Sequence, residues 1–236
     1  MTSKGKEPLS HRDIAREITI PIDSIALKGD LYLPKRAKGL VIFAHGSGSS
    51  RHSVRNRYVA EVLHQHRLGT LLIDLLSIAE EQIDQQTRHL RFDISLLAHR
   101  LVCITEWIKN QAFSKQLGIG YFGASTGGAA ALIAAAKKSE YLVAVVSRGG
   151  RPDLAGEYLT QVKAPTLLLV GGRDHQVIEL NQQALTQLNI QSQLDIIPNA
   201  THLFEEPGTL ESVAHLAAQW FEQYMEAPTH VTKIRR

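Results

Sequence analysis

Residues 119–134 read Ile-Gly-Tyr-Phe-Gly-Ala-Ser-Thr-Gly-Gly-Ala-Ala-Ala-Leu-Ile-Ala. An apolar run of strand type passes through a turn of small residues straight into an alanine-rich helix. Gly123, Ser125 and Gly127 have the G-x-S-x-G spacing, in which a serine sits on a sharp strand-to-helix turn and small neighbours leave its hydroxyl room to project. The free amides of the following helix, beginning with Thr126, and the positive end of its dipole lie where an oxyanion would develop. The same spacing also arises where a small-residue turn only lets a helix pack closely on a sheet. The strand before and the helix after are the context that the nucleophile reading requires.

Working outward, Ile18, Ile20 and Ile22 alternate with polar neighbours and Leu27 to Pro34 reads as a second strand, so an antiparallel pair is expected at the start. Leu40 to Ala44 is a continuous apolar run, the pattern of a strand buried on both faces. Leu71 to Leu75, Gly118 to Phe122, Leu142 to Val146, Pro165 to Val170 and Leu194 to Ile197 supply the remaining strands. Helices are expected around Val54 to His66, after an Asp93 cap, and over the apolar series Val213, Leu216, Ala217, Trp220, Phe221 and Tyr224. This alternation predicts an α/β fold: a doubly wound, mostly parallel eight-stranded sheet with helices on both faces. The short connection from Val146 to Pro165 leaves no room for a large lid domain. One domain over 17–225 is expected, with a flexible N-terminus at 1–16 and a flexible basic tail at 226–236.

Composition narrows the functional classes. The 236 residues are 44% hydrophobic, enough for one substantial core, and 21% charged with a net charge of only +3. No block of basic residues suggests nucleic-acid binding. Cys103 has no internal disulfide partner and sits on an apolar helical stripe, where a buried thiol is expected. No stretch approaches the ~20 apolar residues that span a bilayer, so a cytoplasmic protein without a membrane partner is expected. The eleven histidines form no metal-binding signature, and neither a metal nor a cofactor is expected. Gly118 to Gly123 spells G-x-G-x-x-G, but its middle residues are the strand itself, not the turn that opens a dinucleotide-binding helix.

In sheets of this kind, functional groups gather beyond the carboxyl ends of the strands. There the sequence delivers His45-Gly-Ser-Gly-Ser-Ser50, then Ser125, Arg148 with Arg151, Gly171-Gly-Arg-Asp174, and Asn199-Ala-Thr-His202. Nucleophile, acid and base thus occur in the order Ser, Asp, His. From about residue 17 to 225 the chain resembles the α/β-hydrolase superfamily, and within it the small, lidless dienelactone-hydrolase-like group. The resemblance is carried by His45-Gly46-Ser47-Gly48, Gly123-Ala-Ser125-Thr-Gly127, and Gly171-Gly-Arg-Asp174 with His202.

That resemblance implies that Ser125 attacks an acyl carbonyl, that His202 carries the proton and that Asp174 holds the imidazole. It also implies an oxyanion hole made by the backbone amides of Thr126 and Ser47. Some members of the superfamily take the acid from after the sixth strand, where this chain has Asp153. Dienelactone hydrolases proper use a cysteine at the elbow, so the change to Ser125 leaves esters, thioesters and lactones open. His45 is expected to orient the oxyanion loop. Arg51, His52, Arg148 and Arg151 follow strand ends and are candidates to bind an anionic group on the substrate, with Glu80, Glu81 and Asp84 placed to neutralise the same rim. The expected function is a serine hydrolase acting on small carboxylic esters or thioesters through an acyl-enzyme. Acyl transfer to another acceptor uses the same residues, and a non-catalytic binding module uses the same fold.

Overall fold

The computed structural model describes residues 13–225; residues 1–12 and the expected tail at 226–236 lie outside the described residues. Eight strands form one sheet in the order β1-β2-β4-β3-β5-β6-β7-β8. They are β1 (Ile14–Ile22), β2 (Ile25–Leu33), β3 (Gly39–Ala44), β4 (Leu68–Ile73), β5 (Gly118–Ala124), β6 (Leu142–Arg148), β7 (Thr166–Gly171) and β8 (Ser192–Ile197). β1 pairs antiparallel with β2 and β2 with β4, and every later pairing is parallel. β1 begins at Ile14, ahead of the boundary at 17 read from the sequence.

β3, β4 and β7 are buried at every residue, which is why β3 and β7 read as apolar runs; β1, at the edge, alternates over its second half. The described residues form six helices, all but α2 packed on the sheet: α1 (Val54–Gln65), α2 (Ile78–Thr87), α3 (Ile94–Lys109), α4 (Thr126–Lys137), α5 (His175–Leu185) and α6 (Thr209–Met225). α3, α4 and α5 pack on one face with Leu40, Ile42, Ile119 and Tyr121. α1 and α6 pack on the other with Val41, Phe43 and Phe122. The expected cap is in place at α3, where Asp93 accepts from the Leu96 amide at 2.9 Å. The connection from β6 to β7 is filled by short 3₁₀ turns, Pro152–Gln161, kinked at Gly156, and no separate lid is present among the described residues. Cys103 is only half-buried on α3, with its sulfur 3.6 Å from His99 Nε2, because the stripe it occupies ends at the helix margin.

The topology fixes the site. β3 lies between β4 and β5, and the chain leaves β3 through α1 on one face but leaves β5 through α4 on the other. The loops after β3 and β5 therefore diverge, opening a crevice at the carboxyl edge where the strand order reverses. His45 to Ser50 and Ser125 stand at that crevice.

Candidate active site

Ser125 occupies the corner between β5 and α4 with φ 51° and ψ −122°, a region that non-glycine residues enter only under strain. The surroundings hold it there. The Ser125 amide donates to the Arg148 carbonyl at 3.1 Å, and the Ser125 carbonyl accepts from the amides of Gly128 (3.0 Å) and Arg151 (3.2 Å). The turn closes because its glycines have no side chains. A Cβ on Gly123 would come within 2.6 Å of the Gly127 carbonyl oxygen, and one on Gly127 would overlap the Ala44 carbonyl.

His202 arrives from the loop after β8. Its Nε2 is 3.3 Å from Ser125 Oγ and its Nδ1 is 2.6 Å from Asp174 Oδ2. Asp174 stands at the N-cap position of α5 but makes no side-chain capping bond; its carboxylate turns to the imidazole, forgoing a contact that is typically ~1 kcal/mol. The carboxylate fixes the tautomer, with Nδ1–H donating to Asp174 and Nε2 free to receive a proton from Ser125. Asp153, the other candidate acid, is instead held by Arg151 through two bonds of 2.9 and 2.7 Å. Asn199 and Phe204 bracket the histidine at positive φ, 62° and 55°. Gly171 leaves space for this loop, since a Cβ there would meet the Ala200 carbonyl at 2.5 Å.

The loop after β3 folds back on the elbow. His45 Nε2 accepts from the Leu75 amide at 3.1 Å, so its proton is on Nδ1, which donates to the Gly46 carbonyl at 3.0 Å. Burial pushes this imidazole below its ordinary pKa, keeping it neutral as a strut of the loop. The Ser47 amide donates to Thr126 Oγ1 at 2.9 Å. Nothing in the sequence signals this bond, because it joins residues far apart in the chain.

The four candidate anion-binding residues have different surroundings. Arg51 is ringed by carboxylates: Asp74 at 2.5 Å, Glu17 at 3.0 Å and Asp30 at 3.4 Å. Asp74 directly follows β4, a position that could have flagged it beforehand. His52 contacts Arg57 at 2.9 Å, and Arg151 is taken by Asp153. Among the described residues Arg148 has no carboxylate partner. Two of the acidic residues expected to neutralise this rim are paired with arginines outside the candidate set, Glu80 with Arg100 at 2.7 Å and Asp84 with Arg91 at 2.5 Å, while Glu81 and Asp84 line the cleft beside His45 and Ser47.

The sheet order, the crevice and the serine-bearing elbow define an α/β-hydrolase-type protein. The chain belongs to the dienelactone hydrolase family, whose model matches residues 79–227. A dienelactone hydrolase from Anabaena variabilis is 58% identical in sequence, superimposes with a TM-score of 0.89, and is matched over 91% of this chain and 99% of its own. Est1E from Butyrivibrio proteoclasticus shares the fold at 18% identity, with a TM-score of 0.75 over 89% of this chain and 99% of its own. A Mycobacterium tuberculosis protein that carries the provisional name of a phosphoribosyl transferase is 54% identical over 212 residues. That match takes in 90% of this chain but 47% of the relative, so the chain spans about half the length of the curated relatives it matches. Family and fold are those of hydrolases. Among the described residues no helix is long and apolar enough to cross a membrane.

Proposed function

We propose that this chain is a serine hydrolase that cleaves small carboxylic esters or thioesters through an acyl-enzyme on Ser125. The observation that carries the reading is the continuous relay Ser125 Oγ–His202–Asp174, with separations of 3.3 and 2.6 Å. His202 Nε2 takes the serine proton as Oγ adds to the acyl carbonyl, then returns it to the leaving alcohol or thiol. Water, deprotonated by the same nitrogen, releases the acid. The 3.3 Å separation is long for a serine–imidazole bond, and such bonds commonly tighten when substrate arrives. A cleft of about 40 Å³ adjoins the oxyanion loop, lined by His45, Ser47, Leu76, Glu81, Arg91 and Leu97; the short connection from β6 to β7 supports an open site that favours short acyl groups. The phosphoribosyl transferase name describes a protein about twice as long and assigns no chemistry to these residues.

Intact mass after exposure to a fluorophosphonate tests the reading. A single adduct is expected on the native chain and none on Ser125→Ala, together with faster hydrolysis of p-nitrophenyl acetate than of the laurate. A folded native chain that takes up no adduct would overturn it in favour of a non-catalytic module.

The Ser47–Thr126 bond adds a second expectation. Thr126 is buried, and its hydroxyl pins the exposed Ser47, whose amide is the second oxyanion donor of this mechanism. An oxyanion bonds more strongly than a neutral hydroxyl and shares the amide on arrival. Thr126→Val keeps both backbone amides but unpins the loop. Losing one neutral hydrogen bond is worth ~1 kcal/mol, so kcat for p-nitrophenyl acetate is expected to fall by about fivefold at nearly constant KM. Thr126→Ser is expected to retain the native rate, and equal rates in all three proteins would remove the Thr126 hydroxyl from the mechanism.

A further inference from the structure

Every other deeply placed arginine near the crevice has a carboxylate. Arg100 meets Glu80, Arg91 meets Asp84 and Arg51 meets Asp74. Arg148, at the end of β6, is 8% exposed, and its Nε and Nη1 have no hydrogen-bond acceptor among the described residues. Alternation along β6 sends it to the α1/α6 side of the sheet with Ala144 and Val146. There its guanidinium lies 5.9 Å from the centre of the Phe204 ring. Burial lowers its pKa to about 10, and the charge acting on it is another cation, Arg55. Arg55 belongs to the first turn of α1, a turn without any acid, and its own Nε is also buried without an acceptor. Only its Nη1 is engaged, at the surface, by Glu205 at 3.2 Å. Two guanidiniums thus present three buried nitrogens whose N–H groups find no acceptor among the described residues.

We propose that Arg148 and Arg55 form a receiving site for a carboxylate or phosphate group beside the Ser125–His202 pair. An uncompensated buried cation costs several kcal/mol, which an anion would recover. Guanidinium N–H groups match the paired oxygens of carboxylates and phosphates. The site borders the reacting groups: the Arg148 carbonyl holds the Ser125 amide, Phe204 follows His202 by two residues, and a Cβ on Gly149 would lie 3.4 Å from the His202 carbonyl. An anion seated here bears on the loop that carries His202. It comes either from the acid group of the substrate, which rests on the hydrolase reading, or from a free anion, which does not.

The test compares the native chain with Arg148→Met and Arg55→Met; Arg55, nearer the surface, keeps the experiment informative should Arg148→Met fail to fold. Inorganic phosphate and succinate are titrated at fixed ionic strength while the unfolding midpoint is followed. In parallel, kcat/KM is measured for p-nitrophenyl hemisuccinate and p-nitrophenyl butyrate. A saturable rise in midpoint, lost in the variants, is expected. If the source is the substrate, the hemisuccinate-to-butyrate ratio also falls tenfold or more in the variants; if it is a free anion, that ratio stays constant. A native chain that hydrolyses neither ester yet shows the variant-sensitive midpoint rise would sink the hydrolase reading alone. No saturable rise and no change in ratio would overturn the anion site.

Discussion

Ser125→Ala and His202→Ala are each expected to lower kcat for p-nitrophenyl acetate by about 10⁴- to 10⁶-fold, and the double variant by no more than either alone. The reason is the geometry. Ser125 Oγ is a poor nucleophile until His202 Nε2, 3.3 Å away, removes its proton, and His202 has nothing to activate once that hydroxyl is gone. The pair therefore acts as one unit. What remains after either change is the contribution of the oxyanion donors and of binding. Steady-state kinetics on the four proteins check this, and losses that multiply in the double variant would separate the two residues. Neither change removes packing from the core, as both side chains are only part-buried. Ser125→Gly sharpens the contrast. It abolishes activity like Ser125→Ala, but it also relieves the positive φ of the corner, so stability is expected to rise by about 1 kcal/mol.

Gly127→Ala is expected to damage fold and activity together. A Cβ at this position would overlap the Ala44 carbonyl and come within 2.6 Å of the His45 carbonyl, both backbone groups of β3 and its loop. Neither can rotate away as a side chain tip can, so α4 must lift from the sheet. Overpacking against mobile side chains typically costs 1–3 kcal/mol, and the backbone contacts here put this change at or above ~3 kcal/mol. The same displacement moves Thr126 away from Ser47, now 2.9 Å from it, and opens the oxyanion loop. Urea unfolding monitored by circular dichroism, with kcat measured below the transition, is expected to show both losses. Native stability with normal turnover would mean that the elbow tolerates a spacing that its closeness here does not allow.

Much of this architecture is legible from local sequence. β3 and β7 announce themselves as unbroken apolar runs because both their faces are covered, and the elbow is visible because strand, small-residue turn and helix are contiguous. β4 is less legible. The sequence suggests Leu71 to Leu75, whereas the strand is Leu68–Ile73 and includes Gly69 and Thr70, which resemble a turn. Gly69 belongs in the strand because a Cβ there would press on Leu33 at 2.6 Å, a contact that exists only once β2, β3 and β4 are assembled. α2 buries a single residue, Asp84, and so lacks an apolar stripe; its signal was the capping box of Ser77 and Glu80, whose reciprocal bonds are 3.3 and 2.8 Å. The candidate nucleophile, base and acid were legible because each follows a strand, and strand ends converge in a parallel sheet.

The sequence by itself determined the succession of the strands and of four of the six helices, the serine on a strained turn, and the succession Ser125, Asp174, His202. These follow from short-range rules of periodicity, small residues at tight turns and chain order. Only the tertiary structure decided which charges meet. It gave Asp174 to His202 and Asp153 to Arg151, surrounded Arg51 with three carboxylates, set the Ser47 amide on the Thr126 hydroxyl, and left Arg148 Nε and Nη1 buried without an acceptor among the described residues. Such pairings depend on distance and desolvation between segments remote in the chain, and no local pattern of residues encodes either quantity.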